Sequence, residues 1–297
     1  WTLGGGDSDF DVTDIYGNFF PAHMGDSTNW RGSWCHQHMF KLLSPKYYSL
    51  FDNHLGPEHF FLNDGNSRMV ILELDEANGQ AWEAWAWDTG DKAWIYGSTD
   101  VVASGNILGS SWPNVVDPAY TDRQYSLNIW EMTPHYEIAM RIGILGYNPR
   151  YPEDYKSSFL HTVAPDEEPP VGWVSYNVQR LYLRPQLTKP CKIEVNGAQQ
   201  TYVFFKAFNT VITQEDSAGA AYLIHSDGSK SVLSSQDFMF QRSMLPRDVF
   251  LEVPGSQKQV PVTVVVINMW YDTTAVIIGP PDSLQLCQKD SVRIFID

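Results

Sequence analysis

Cysteine is scarce in this 297-residue chain: there are three, Cys35, Cys191 and Cys287, far apart in sequence. An odd number at such spacing draws no disulfide framework and no Cys-x-x-Cys metal knuckle. No Asn-x-Ser/Thr sequon occurs either, so nothing marks a glycosylated surface loop. Together these absences favour folding in a reducing compartment over a eukaryotic secretory route, with bacterial export left open. Long apolar runs are also missing. The longest, Val260–Trp270, is strand-length and well short of the roughly 18 residues a spanning helix needs, so no membrane span is expected. Basic residues are few, with 20 Lys and Arg against 35 Asp and Glu for a formal charge of −15. Phosphate binding is driven by Lys and Arg, so nucleic acid would be a partner only through a basic arm not seen in this sequence. The chain opens on Trp1 rather than on Met, which leads us to expect that something preceded it.

Aromatic residues, by contrast, are abundant: 11 Trp, 15 Tyr and 15 Phe. They exclude a disordered chain and point to many half-buried strand and loop positions. The densest stretch is Gly79–Gly105, where Trp82, Trp85, Trp87 and Trp94 fall within thirteen residues. In an extended chain Trp82, Ala84 and Ala86 share one side and Trp85 and Trp87 the other, so both faces are apolar and the segment reads as a sheet centre. A turn at Asp88–Asp91, with Gly90 free to take a positive φ, is expected to lead into a return strand at Trp94–Tyr96.

Most of the remaining chain carries the same pattern. Extended candidates are His59–Leu62, Met69–Leu74, Ala81–Trp87, Ala93–Ala103, Tyr125–Met132, Tyr136–Leu145, Val171–Arg184, Cys191–Val195, Thr201–Thr213, Tyr222–His225, Ser231–Leu233, Val249–Val253, Pro261–Trp270, Thr274–Ile278 and Ser291–Ile296. Turn residues separate them, with Asn196-Gly197 and Asp227-Gly228 as hairpin signals. Two short helices are expected, one opened by Ser44-Pro45 and ended at Gly56, the other over Ser235–Met244. The fold class is therefore all-β, an antiparallel β sandwich or jelly roll with long loops and one or two short helices. Residues 1–34 read as an extended N-terminal arm and 35–297 as the sandwich. The proline- and acid-rich stretch 146–170 is the candidate subdivision.

Candidate chemistry is sparse. Asp7, Asp9 and Asp11 alternate as in a calcium loop, but the EF-hand pattern fails at Val12 and Asn18, which leaves an irregular divalent-cation site, calcium first, against a solvated acidic arm. His36 and His38 share one strand face, as in the HxH that opens a cupin-type metal site, and His23, Cys35, His54, Glu58 and His59 crowd the same region. The bland alternative is a set of polar or interfacial histidines. Gly25-Asp26-Ser27 matches the opening of GDS-type esterases, yet neither α/β alternation nor a D-x-x-H follows. Glu73, Asp75, Glu76 and Glu83 offer carboxylates for glycoside chemistry, against a solvated strand end.

No complete catalytic set emerges, which leans the reading away from an enzyme. Three function classes fit. One is a self-assembling shell subunit of the viral-capsid jelly-roll type, a homo-oligomer or partner of related coat subunits located in a virion assembled in a host cell. Another is a glycan-binding or glycan-processing β sandwich, secreted and meeting a glycan receptor, in which exposed aromatics would line a groove. The third is a lipocalin-like cyclase or hydratase for a small apolar metabolite, with one large enclosed pocket.

Overall fold

The computed structural model describes residues 1–23, 34–44, 46–55, 65–93, 95–113, 125–144, 175–195, 199–227, 231–242 and 245–287. The chain divides into two compact units, Trp1–Gln179 and a second that begins at Arg180. Both are β structures.

The first unit holds β1 (Asp11–Thr13), β2 (Phe19–Phe20), β3 (Gln37–Ser44), β4 (Tyr47–Asp52), β5 (Arg68–Asp75), β6 (Gln80–Asp88), β7 (Ser98–Val101), β8 (Ile107–Ser111), β9 (Leu127–Met132) and β10 (Ile138–Ile144). Six strands form one sheet in the order β2-β1-β6-β5-β4-β3, and four form another in the order β10-β9-β8-β7. Except for β1, which runs parallel to β6, the pairings are antiparallel. β5 is apolar on both faces because both are covered. Val70, Leu72 and Leu74 pack with Phe10, Val12, Trp34 and Leu50, while Met69 and Ile71 are fully buried on the opposite side. That opposite side meets the four-stranded sheet, where a Cβ added to Gly109 would fall 2.6 Å from Met69 Cε. Gly97, at φ 102°, lies so close to Phe51 that an added Cβ would sit 2.3 Å from its ring. Ser49 Oγ donates to Thr99 O at 2.7 Å, and Trp87 and Trp130 meet edge to face at 5.0 Å. The first residues, expected as an extended arm, turn at Gly4 and Gly5 and dock with Phe10 and Val12 buried in this core.

The second unit holds β11 (Gln186–Leu187), β12 (Cys191–Val195), β13 (Gln200–Phe208), β14 (Ser217–His225), β15 (Val232–Phe240), β16 (Arg247–Val253), β17 (Val262–Asn268) and β18 (Thr273–Ile278). One sheet gathers β11, β12 and β16 around β13; the other runs β15-β14-β17-β18. Period-2 alternation is clean in β16, while the central β13 is buried on both faces from Val203 to Phe208. Val203, Phe205 and Ala207 of β13 and Val249, Leu251 and Val253 of β16 meet Val262, Val264 and Val266 of β17 in one core, as expected for two sheets packed face to face.

The all-β class thus holds, with four corrections in detail. Ser44–Gly56 is no helix: Tyr47–Asp52 is β4, paired along its whole length with β5. Ser235–Met244 is no helix either, because Ser235–Phe240 belongs to β15 and pairs with β14. Capping signals lose in both places to cross-strand pairing, which satisfies the backbone and buries the aromatics. The Trp-rich strand pairs with β5 on one side and β1 on the other rather than with a return strand, and among the described residues of the expected return segment the strand is Ser98–Val101; Trp94 itself lies outside the described residues. Finally, Cys191 and Cys287 are joined in a disulfide, and the free thiol is Cys35. Spacing alone gave no sign of that pair, since the partners meet through a parallel bridge of Lys192 with Leu286. The candidates His59–Leu62 and Ser291–Ile296, and the region 146–170, lie outside the described residues. Among the described residues no helix is long and apolar enough to cross a membrane.

The disulfide spans 96 residues and so closes a loop that takes in both sheets of the second unit. Replacing Cys191 and Cys287 by Ser is expected to cost about 4–5 kcal/mol through the freed unfolded chain. Urea denaturation of oxidised and Ser-substituted protein checks it; equal midpoints would contradict the structural role.

Candidate functional site

The chemistry-bearing residues of the first unit concentrate where β3 begins and β4 ends. Asp52, Arg68 and Glu83, on three adjacent strands, face the same side. Arg68 donates to Asp52 Oδ2 from Nε at 3.2 Å and Nη2 at 2.9 Å, and to Glu83 Oε2 and Oε1 at 3.1 and 3.0 Å. Both carboxylates are fully buried at the side chain. One guanidinium cannot neutralise two acids, so backbone and indole N–H groups complete the shell. Cys35 N and His54 N donate to Asp52 Oδ1 at 3.0 and 2.9 Å, Ile15 N to Glu83 Oε2 at 3.0 Å and Trp34 Nε1 to Glu83 Oε1 at 2.6 Å. Burial alone would lower the proton affinity of Arg68, but Asp52 and Glu83 outweigh it and raise it. Burial and then Asp52 push the Cys35 thiol up to about 11. This cluster is a clamp: every charged atom it contains is turned inward.

An imidazole and phenol cluster surrounds His38. Its Nδ1 lies 2.7 Å from Asn53 Oδ1. The Asn53 amide orientation is set by its own NH₂, which donates to Ala93 O at 2.9 Å and Tyr96 O at 3.0 Å. Oδ1 must therefore accept, so His38 Nδ1 carries the proton and, in the neutral ring, Nε2 keeps its lone pair. His36 stands edge to face with His38 at 5.1 Å between ring centres, Tyr96 at 5.8 Å and Tyr176 at 6.0 Å. His36, Met39, His54 and Tyr96 all hold positive φ, between 52° and 63°. Left-handed backbone at a side-chain-bearing residue costs roughly 1–2 kcal/mol, and such strain concentrates at functional sites.

On the other face of β3, a shallow cleft of about 220 Å³ is lined by Trp1, Leu3, Trp34, Gln37, Phe40 and Leu50. Phe40 stacks on Tyr48 at 5.2 Å with the planes 19° apart, and Trp1 stands edge to face with Tyr48 and Phe10. Trp1 is 60% and Phe40 48% exposed. Gln37 is the polar residue of the lining.

The other candidates are placed as follows. Asp9 Oδ2 accepts Thr2 N at 2.5 Å, and Asp11 accepts Ala22 N at 2.8 Å and Gln80 Nε2 at 2.9 Å. The Ala22 N–H, then Gln80, hold the Asp11 carboxyl below its ordinary range. Asp7 is exposed. Among the described residues no three His, Cys, Asp or Glu side chains come together as a metal-holding group. Glu73 pairs with Lys46 at 3.0 Å, Asp75 accepts from Asn78, and Glu76 accepts the Tyr48 hydroxyl at 3.4 Å. Gly25-Asp26-Ser27, Glu58 and His59 lie outside the described residues. Sequence reading missed the Arg68 clamp; the signal was an arginine opening an otherwise apolar strand, where a lone charge needs partners.

No protein-family model matches the chain. No curated protein is similar to it in sequence. Among solved structures, the β-glucosidase DesR from Streptomyces venezuelae in complex with D-glucose aligns at a TM-score of 0.24 with 10% identity. That alignment covers 38% of this chain and 16% of the other, an extent that supports no conclusion on function.

Arg68→Met is expected to destabilise the protein by about 3–5 kcal/mol, because two buried carboxylates lose their counter-charge; chemical denaturation reads the change. A thiol shifted from 9.0 to about 11 holds about a hundredfold less thiolate near neutral pH. Iodoacetamide should therefore label folded Cys35 at least that much more slowly than the unfolded chain, as followed by intact mass.

Proposed function

We propose that the first unit is a glycan-binding module that takes the apolar face of a sugar ring in the Trp1, Trp34 and Phe40 cleft. The observation that carries the reading is the pairing of exposed aromatic rings with a single amide. A pyranose ring offers a face of C–H groups and a rim of hydroxyls. An aromatic wall covers the first, and an amide, which both donates and accepts, meets the second. The Glu76 carboxylate, which accepts the hydroxyl of the Tyr48 that stacks on Phe40, adds an acceptor behind the cleft's aromatic wall. At about 220 Å³ the cleft is smaller than a pocket that encloses a drug-sized ligand. It suits one ring of a longer chain whose neighbours rest on the surface.

Binding is favoured over processing. Glycoside hydrolysis needs one carboxylate free to protonate a leaving group and another at a set distance across the ring. Glu83 is committed to Arg68, and Glu73, Asp75 and Glu76 are each engaged by a neighbour in their own chain. The disulfide of the second unit supports a protein that matures under oxidising conditions, as a secreted glycan binder does.

Titration of tryptophan fluorescence with a panel of oligosaccharides tests the reading. A saturable response is expected, and Trp1→Ala or Phe40→Ala should each weaken it roughly 3- to 10-fold, the worth of one aromatic stacking contact. Both side chains are largely exposed, so each change should lower the melting temperature only by the loss of one or two surface ring contacts. Light scattering on the same material addresses the shell-subunit reading: a closed particle of many copies, indifferent to every sugar, would replace the glycan proposal with that one.

A further inference from the structure

We infer that the open edge of β18 in the second unit is a self-association surface, on which a second copy of this chain adds its own β18 antiparallel and joins two four-stranded sheets into one. The inference lies wholly within the second unit and does not depend on the sugar reading.

The two sheets of this unit have four edges, and proteins blunt such edges with charge, proline, a bulge or a covering segment. Among the described residues, three of the four are managed in that way. Gln285–Cys287 runs beside β12, with Lys192 N donating to Gln285 O at 2.9 Å and Cys287 N to Lys192 O at 3.0 Å, and the disulfide clips it there. On β16, Arg247, Asp248 and Glu252 supply charge, and Phe250 N donates to Gln236 Oε1 at 2.8 Å. β15 breaks register with β14 between Leu223 and Ile224 and exposes Asp237. β18 has none of these devices. Its six residues, TTAVII, hold no charge and no proline, and its register against β17 is unbroken.

Which backbone groups this edge offers follows from the ladder. Asn268 N donates to Asp272 O at 3.1 Å, and antiparallel pairs alternate between bonded and unbonded. Along the register Thr274, Val276 and Ile278 therefore bond to β17, while Thr273, Ala275 and Ile277 turn N–H and C=O outward. Among the described residues nothing pairs with those outward groups. The same three side chains are exposed, Ile277 at 76%.

These groups fit another copy of β18. With Ala275 opposite the partner's Ala275 on a two-fold axis, Thr273 lies opposite the partner's Ile277, and about six inter-strand hydrogen bonds form. The smallest side chain sits at the axis, and exposed Ile277 gains a neighbour. Charge points the same way, because at −15 two copies repel, and an edge without charge is where that repulsion is weakest. A strand-length contact falls below the roughly 1,200 Å² of a stable complex, which sets the dissociation constant on the order of 10 µM.

Sedimentation equilibrium of the full chain from about 1 to 500 µM tests the pairing, and a monomer–dimer transition is expected within that range. Ala275→Pro removes an outward N–H and spares the ladder to β17. Ile277→Lys puts a charge on the edge. Each should weaken association at least about 10-fold, whereas Val232→Lys, at an exposed position on β15, should leave it unchanged. Cross-linking under mild oxidation reads the register. Ala275→Cys should link two chains, because directly opposed Cα atoms of a bonded antiparallel pair lie about 5.5 Å apart, within disulfide range. Thr273→Cys, out of register with its own copy, should not. Cys35 is buried and leaves both readings clean. A chain monomeric throughout, or association in which Ala275→Cys stays unlinked or Thr273→Cys links equally, would overturn the edge pairing.

Discussion

Burying one guanidinium between two carboxylates is the constraint on which the first unit is built. Asp52 comes from the end of β4, Arg68 from the start of β5 and Glu83 from the middle of β6. Their bonds tie three adjacent strands together side by side. Because two acids face one base, the surplus charge recruits Ile15, Trp34, Cys35 and His54. Segments with no place of their own in the sheet are thus drawn onto its end. A hydrophobic replacement would pack as well, but would not specify where those four segments go.

The two candidate sites follow from that anchoring. Trp34 is held by its indole N–H and so becomes a wall of the aromatic cleft. Cys35 and His54 are held by their backbone N–H groups, which places His36 and Asn53 beside His38. The clamp itself has no free atom for chemistry, and its importance lies in what it orients. The inner network thus supports exposed rings on one face of β3 and imidazoles on the other.

The second unit follows a different logic. Its core is a regular interleaving of valines and phenylalanines from two sheets, and the buried Lys206 of β13 pairs with the exposed carboxylate of Asp248 on β16 at 2.7 Å. A disulfide rather than a buried charge ties the last described residues to β12.

Much of this architecture was legible before any coordinates. Cys191–Val195, Met69–Leu74 and Thr274–Ile278 read as strands because alternation and β-branching are local properties, set by the geometry of an extended chain. His36 and His38 do stand side by side, but not as two positions on one strand face, because His36 precedes β3 and holds a left-handed φ of 58°. Tertiary structure alone decided the rest. Tyr47–Asp52 carried helix-capping signals that a neighbouring strand overrode, and a short apolar run is ambiguous until its partner is known. The pairing of Cys191 with Cys287, of Arg68 with Asp52 and Glu83, and of His38 with Asn53 joins residues 15 to 96 positions apart. No local pattern encodes such a meeting, because it depends on which strands become neighbours.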